Sequence, residues 1–208
     1  MRVLTLFSGT HSVGKCIEQH FPHWQETTLD LNCPSTHQVD ILTWDYTVYP
    51  PHYFDIVWAS PDCVQFSKAR YSAKTPRNLP HANAMVKRTL EIIDYLKPKV
   101  WLMENPSTGL LPKQDYMLGR PCSICSYCMY GYCFRKQTAI WSNIKPQLDQ
   151  VLKVCNKKCG AFIDGRHISS VEYSAAGKMR GAVPIGLIYD IFLKAQETIC
   201  QSKEKKTT

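Results

Sequence analysis

No apolar run in the chain approaches the ~18 residues a membrane-spanning helix needs, and the N-terminus lacks the charged, apolar, then small-residue order of a secretory leader. A soluble protein that stays inside the cell is the expectation. No internal repeat or low-complexity linker divides the 208 residues, which suffice for one domain with a substantial core but not for a second of full size. The GxxxxGK[ST] signature is absent too, which argues against a phosphate cradle of the nucleoside-triphosphate type. Acids are missing locally: Val64 to Asn78 holds Lys68, Arg70, Lys74 and Arg77 with no carboxylate, and Phe66 and Tyr71 are interleaved among them. Such a run suits phosphates and unstacked nucleobases, or it is the solvated face of a basic protein.

Base and thiol are in surplus. The formal charge is +8 with a pI near 9.0, and there are ten cysteines. In a reducing compartment those thiols stay free, so metal binding or catalysis is their expected use.

Along the chain, short apolar segments alternate with helical ones. "MRVLTLF", "QETTLDL", "QVDILTWD", "YFDIVWA" and "KVWLMEN" read as strands. Val13 to His20 and "HANAMVKRTLEIIDYL" read as helices, the second with Ala84, Leu90, Ile93 and Leu96 at roughly helical spacing and stopped by Pro98. This order predicts parallel βαβ units with both sheet faces covered, and ligands at the carboxyl ends of the strands. Phe7 to Gly9, Asp30, Asp40, Ser60 to Cys63 and Glu104 to Pro106 fall there. After Pro106, "CSICSYCMYGYCFRKQTAIWSN" reads as strand, turn and strand. Lys153 to Arg180 has little periodicity, "VPIGLIYDIFLKA" is an amphipathic helix, and residues 201–208 read as a frayed tail. The division expected is a cofactor-binding and catalytic half (1–111), a Cys-rich segment (112–182) and a closing helix (183–200), all in one domain.

Chemistry concentrates at the strand ends. Gly9 and Gly14 lie in the first strand-to-helix turn, where a backbone without Cβ lets a nucleotide-like ligand come close. Asp30 can accept hydrogen bonds from ribose hydroxyls, or it caps a helix. Cys63 is core packing or a nucleophile. The basic loop after it would lower its pKa, whereas Asp62 beside it would raise it. Glu104 at a partly apolar strand end is expected to have its pKa raised by desolvation, so that it can deliver a proton. A thiolate and a protonated carboxyl on adjacent strands are the pair needed to add to a ring carbon while protonating a ring nitrogen.

On these motifs the chain resembles the cytosine-C5 DNA methyltransferases, in the compact form found in phages and large viruses. "LFSG" is similar to the S-adenosylmethionine turn, "SPDCVQFS" to the nucleophile loop, "ENP" to the motif with the catalytic Glu, "YCMYGYCFRKQTAIWSN" to motif VIII and "RGAVPIGLIYDI" to motif X. These span about residues 1 to 195. The resemblance implies a Rossmann-like class I S-adenosylmethionine-dependent methyltransferase fold, with a small Cys-rich segment in place of a full target-recognition domain. It implies cofactor contacts from Phe7, Ser8, Gly9, Thr10, His11, Asp30, Leu31, Asp40, Ile41, Ser60 and Pro61. Catalysis falls to Cys63 and Glu104, with Arg135 and Lys136 standing in for the motif VIII arginines that would align with Gln137 and Ala139. Gln65, Ser67, Lys68, Arg70 and Asn105 would contact a duplex with its cytosine flipped out. Departures from the pattern are Asp62 for a proline, Val64 for a glutamine, His11 for a glycine, and a missing asparagine before motif X. Methyl transfer to RNA and a catalytically dead nucleic-acid-binding module are the competing readings, and N-methyl transfer normally needs an aromatic where Cys63 stands.

Six cysteines fall between Cys122 and Cys159, with His167 after them, in spacings that suit structural zinc. The resemblance selects Cys128, Cys155, Cys159 and His167 as ligands, and Cys122 with Cys125 is the competing pair. Reduced, buried thiols without metal are the alternative. Only 38 residues separate Asn143 from Ala182. Sequence reading is therefore minimal, supplied by the Cys-rich segment, or borrowed from a second subunit in a homodimer.

Overall fold

The computed structural model describes residues 1–68, 70, 73–168 and 181–204. Its main sheet has six strands: β1 (Arg2–Leu6), β2 (Gln25–Leu29), β3 (Ile56–Ala59), β4 (Val100–Pro106), β5 (Cys122–Ser126) and β6 (Gln137–Ser142). The order is β2-β1-β3-β4-β6-β5; the first four run parallel, and β6 lies antiparallel between β4 and β5. Strand order reverses between β2-β1 and β1-β3, which opens a crevice at the carboxyl ends of β1 and β3.

Both faces of this sheet are covered, and its central strands β1, β3 and β4 are accordingly apolar along most of their length, whereas β2 at the edge is Gln-Glu-Thr-Thr-Leu. Val3, Ile56, Trp58, Val100 and Leu102 pack toward α1 (Ser12–His20) and α4 (Ile185–Glu204), while Leu4, Leu6, Val57, Ala59 and Met103 pack toward α2 (Leu79–Leu96). Asn78 caps α2, its side-chain oxygen accepting from the His81 N–H at 3.2 Å. Inside α2 the buried face is Ala82, Val86, Leu90, Ile93 and Leu96; Ala84, expected on that face, is exposed. A short helix, α3 (Lys145–Leu148), follows β6.

Three expectations change. "QVDILTWD" is not a strand: Asp40 bonds locally, its carbonyl accepting from the Thr43 and Trp44 N–H groups and its carboxylate from the Leu42 N–H, which makes a turn. β5 and β6 join the same sheet as β1 to β4, so the Cys-rich segment supplies part of the main layer. Finally, α4 runs to Glu204, into the stretch expected to fray. Residues 205–208, most of motif X's lead-in (169–180), Tyr71 and Ser72 lie outside the described residues. Among the described residues no helix is long and apolar enough to cross a membrane.

Beyond α3 a small lobe forms from Cys128, Cys155, Cys159 and Ala161 with the hairpin β7 (Phe162–Ile163) and β8 (Arg166–His167). Its tie to the sheet is Ser126, whose N–H donates to the Lys153 carbonyl at 2.9 Å and whose Oγ accepts from the Cys155 N–H at 3.2 Å.

Candidate active site and metal cluster

The turn after β1 is strained in a way only a few residue types tolerate. Phe7, Gly9 and His11 all have positive φ (62°, 44° and 55°), and the Phe7 and Ser8 N–H groups both donate to the Leu29 carbonyl. His11 starts α1 without a side-chain cap, in the left-handed conformation glycine adopts most easily, which gives a backbone reason for glycine there. Gly14 does not face a ligand: a Cβ there would stand 2.6 Å from Glu26 Oε2. Glu26 is held by the Thr5 hydroxyl at 2.5 Å, and burial raises its pKa against the opposing effects of Thr5 and His11.

Asp30 braces this turn. One carboxylate oxygen accepts from Gly9 N–H at 2.9 Å, the other from the Asn32 and Cys33 N–H groups at 2.8 and 3.0 Å. With about four acceptor positions per carboxylate, one remains for a ligand hydroxyl rather than the pair expected.

These residues border a cavity of about 590 Å³ at the switch point. Phe7, Ser8, Gly9 and Thr10 line it from β1, Asp30 and Leu31 from β2, Asp40 and Ile41 from the turn, and Ser60 and Pro61 from β3. Of the expected cofactor contacts His11 alone stays outside, while Ser12 and Val13 after it line the cavity. Residues with no sequence signal also line the cavity, among them Asn32, Cys33, Val39, His81 and Met85, and Val183 of the motif X stretch joins them.

Cys63 and Glu104 line the same cavity from the ends of the paired strands β3 and β4. Cys63 is half-buried, and its pKa is raised: burial is the chief cause, Lys136 opposes it, and Glu104 and Asp62 add to it. The expected thiolate-stabilising loop is therefore not what acts on Cys63; the nearby cation is Lys136. Asp62 is exposed, its Oδ1 accepting from the Val64 N–H at 3.0 Å, and it makes no ion pair among the described residues.

Glu104 is buried and held from two sides. Tyr127 donates its hydroxyl to Oε1 at 2.9 Å, and the Lys136 ammonium lies 3.4 Å from the same oxygen. Lys136 also stands 4.6 Å over the Tyr127 ring. The acid expected at an apolar strand end thus has a hydroxyl and a cation against it. Tyr127 was not foreseen, since nothing in "SYCMYG" distinguishes its tyrosines.

Several expected substrate contacts are used otherwise. Asn105 is fully buried and donates to the Pro61 carbonyl at 2.9 Å, so it positions the loop leading to Cys63. Gln65 lines the cavity, but Ser67, Lys68 and Arg70 do not. Arg70 donates to the Thr75 and Pro76 carbonyls, and Arg77 to those of Gln65 and Ser67; both hold the loop together. Phe66 is core rather than a stacking surface. Arg135, expected beside Lys136 in catalysis, is exposed and does not line the cavity; its charge bears on Cys155 and His167.

In the lobe, ligand atoms of Cys128, Cys155, Cys159 and His167 all lie within 4.8 Å of one another. The Cys155 and Cys159 sulfurs are 3.6 Å apart, and each is 3.4 Å from His167 Nε2. A tetrahedral zinc with Zn–S of about 2.3 Å and Zn–N of about 2.0 Å has edges of roughly 3.8 and 3.5 Å, so the quartet could hold a metal ion. Cys122 lies on β5 with its pKa raised by burial to about 11, and Cys125 is in the core; neither joins the quartet.

An open sheet with a carboxylate-lined crevice at its switch point, β6 turned antiparallel at its side, and a thiol and a carboxylic acid ending adjacent strands define the class: a Rossmann-like S-adenosylmethionine-type methyltransferase. No family model matches the chain. A frog virus 3 (isolate Goorha) protein, "Probable DNA (cytosine-5)-methyltransferase", is 40% identical over 157 residues, covering 70% of this chain and 72% of its own. The chain belongs to the cytosine-C5 DNA methyltransferase family. Its fold is shared with an E. coli prophage-encoded protein described as a "putative DNA modification methyltransferase" (TM-score 0.52, 15% identity, 75% of this chain and 51% of that one). The Entamoeba histolytica methyltransferase EhMeth is similar as well (TM-score 0.53, 15% identity, 74% and 56%). The chain thus spans about half the length of these solved structures.

Proposed function

We propose that the protein transfers the methyl group of S-adenosylmethionine to C5 of cytosine in DNA through a covalent Cys63 adduct. The observation that carries this reading is that Cys63 and Glu104 line the same 590 Å³ cavity as Phe7 to Thr10, Asp30 and Asp40. When bound, S-adenosylmethionine supplies an electrophilic methyl group. Asp30 keeps one acceptor position for its ribose, and the positive-φ turn at Phe7 to Gly9 brings backbone close to it.

On the cytosine, the Cys63 sulfur forms a bond to C6 as its thiol proton passes to the nearby Glu104 carboxylate and on to N3. The C5–C6 π pair shifts to C4–C5 and the C4–N3 pair to N3, where that proton neutralises it. C5 then bonds the methyl group with S-adenosylhomocysteine as the leaving group, N3 returns its proton to Glu104, and loss of the C5 proton to a base restores the C5–C6 double bond and expels Cys63 as thiolate. Tyr127 and Lys136 fix the Glu104 carboxyl, and Asn105 fixes the loop that presents the thiol. The cytosine reaches this pocket by leaving the duplex stack, at a cost of a few kcal/mol.

Within the lobe, the quartet Cys128, Cys155, Cys159 and His167 holds a structural zinc that orders a segment with little core of its own. The Lys157 N–H donating to Cys155 sulfur at 3.4 Å is an outer-shell contact suited to a metal thiolate.

The test is transfer of labelled methyl from S-adenosylmethionine to duplex DNA, with structured RNA and Cys63→Ser in parallel. Duplex labelling at C5 that vanishes in Cys63→Ser is expected. Labelling retained by that variant, or confined to RNA, overturns the reading.

A further inference from the structure

Arg135, Lys157, Lys158 and Arg166 are all exposed and lie in or beside the segments that carry the Cys/His quartet. Lys157 and Lys158 lie between Cys155 and Cys159, Arg166 precedes His167, and the Arg135 charge reaches Cys155 and His167. Asp164 is the only acid from 151 to 168. Among the described residues none of these four bases forms an ion pair, whereas Lys153, a fifth base nearby, is tied to Asp190 at 3.2 Å. Ile163 and Ile168 stand beside them, 53% and 60% exposed.

The face begins next to the reacting centre. The two residues that grip Glu104 are Tyr127 and Lys136, and their chain neighbours Cys128 and Arg135 belong to the lobe. Consecutive Cα atoms are about 3.8 Å apart, so the lobe cannot drift from the catalytic acid. The loop after Cys63, by contrast, uses Arg70 and Arg77 on its own carbonyls. The 38 residues between Asn143 and Ala182 are too few for a separate DNA-gripping domain inserted there.

We propose that this face of the lobe binds the sugar-phosphate backbone of the DNA duplex beside the reacting cytosine, with the four bases on phosphates and Ile163 and Ile168 against the sugars. Arg135 is thereby a DNA-contacting residue rather than a catalytic one. The inference rests on DNA being the substrate, and its test reads binding rather than methyl transfer.

The affinity of the metal-replete, full-length chain for a cytosine-containing duplex is measured by fluorescence anisotropy across a salt series. Replacing all four bases (Arg135→Gln, Lys157→Gln, Lys158→Gln, Arg166→Gln) is expected to flatten the log Kd against log salt slope by about 0.9 per lost contact. Affinity falls roughly eightfold per contact at 0.1 M salt. Lys87→Gln/Lys97→Gln/Lys113→Gln, three exposed lysines in and after α2, leaves the slope unchanged. Zinc content and melting temperature are followed for each variant, and the single variants Arg135→Gln and Lys157→Gln each lose about one slope unit if the fourfold variant does not fold.

An unchanged slope in the lobe variants overturns the inference, as does an equal loss per lysine in the α2 control, or a loss seen with structured RNA and not with duplex. A chain that binds duplex through this face yet transfers no methyl group leaves the inference standing and overturns the proposed function.

Discussion

Replacing Lys136 with methionine removes the cation from an ion pair whose side chains are only 9% and 7% exposed, leaving the Glu104 carboxylate buried. Breaking one half of such a pair costs about 3–5 kcal/mol, mainly because the remaining charge is uncompensated. The Tyr127 hydroxyl still donates to Glu104, and a hydrogen bond to a charged group contributes roughly 1.5–3 kcal/mol, so the lower end of that range, about 3 kcal/mol, is expected. In Lys136→Met/Glu104→Gln the buried charge is gone, and the double variant should be less destabilised than the sum of the two singles by about 2 kcal/mol. Urea unfolding of the four proteins at neutral pH, with constant m-values, gives these numbers directly. A Lys136→Met cost under about 1 kcal/mol, or strict additivity, would refute the view that Glu104 is held as a charge-compensated group.

Because burial, above all, lifts Cys63 above its ordinary 9.0, the thiolate fraction should grow about tenfold per pH unit through pH 9. Iodoacetamide labelling of Cys63, read by mass spectrometry, should follow that line, and a plateau below pH 9 contradicts it. By the same sign, the uncharged thiol favours the fold below the unfolded-state pKa, and this contribution is lost as pH rises through the higher folded value. Asp62→Asn keeps the acceptor for the Val64 N–H and deletes one charge that raises Cys63, so labelling at pH 8 should quicken about twofold; slower labelling counts against the assignment. At Gly109 a Cβ would stand 2.9 Å from the Phe66 carbonyl, three residues past Cys63. Gly109→Ala should therefore cost about 1–3 kcal/mol, with a melting temperature lower by some 2–4 °C per kcal/mol. Chelation should remove one zinc per chain and speed hydrogen exchange across residues 155–168 while β1 to β4 stay protected; metal-free protein with unchanged exchange contradicts the clip.

The central strands and their ends were legible because parallel strands covered on both faces are mostly apolar, as β1, β3 and β4 are, and Asp30, Cys63 and Glu104 stand at or just past the ends of the parallel pairing. The turn at Asp40 was not, since its apolar neighbours Val39 and Ile41 read equally well in an extended chain, and only local hydrogen bonds mark the difference. Nor could sequence divide Arg135 from Lys136: two adjacent cations look alike until the backbone sends one into the cavity and the other onto the lobe. The basic loop misled for a related reason. Charge reads as available until carbonyls such as those of Gln65 and Thr75 are found accepting it. The quartet Cys128, Cys155, Cys159 and His167 was legible only through the family resemblance, because spacing left Cys122 and Cys125 equally eligible.

Covalent capture tests the central claim most directly. A duplex carrying 5-fluorocytosine has no C5 proton to lose, so the adduct formed after methyl transfer cannot be released. Incubated with S-adenosylmethionine, the protein should form a stable complex whose mass includes the DNA strand and one methyl group, with the link mapped by peptide sequencing to Cys63. A complex linked through any other residue, or methyl transfer to ordinary duplex with no trapped complex on the fluorinated one, would contradict the account.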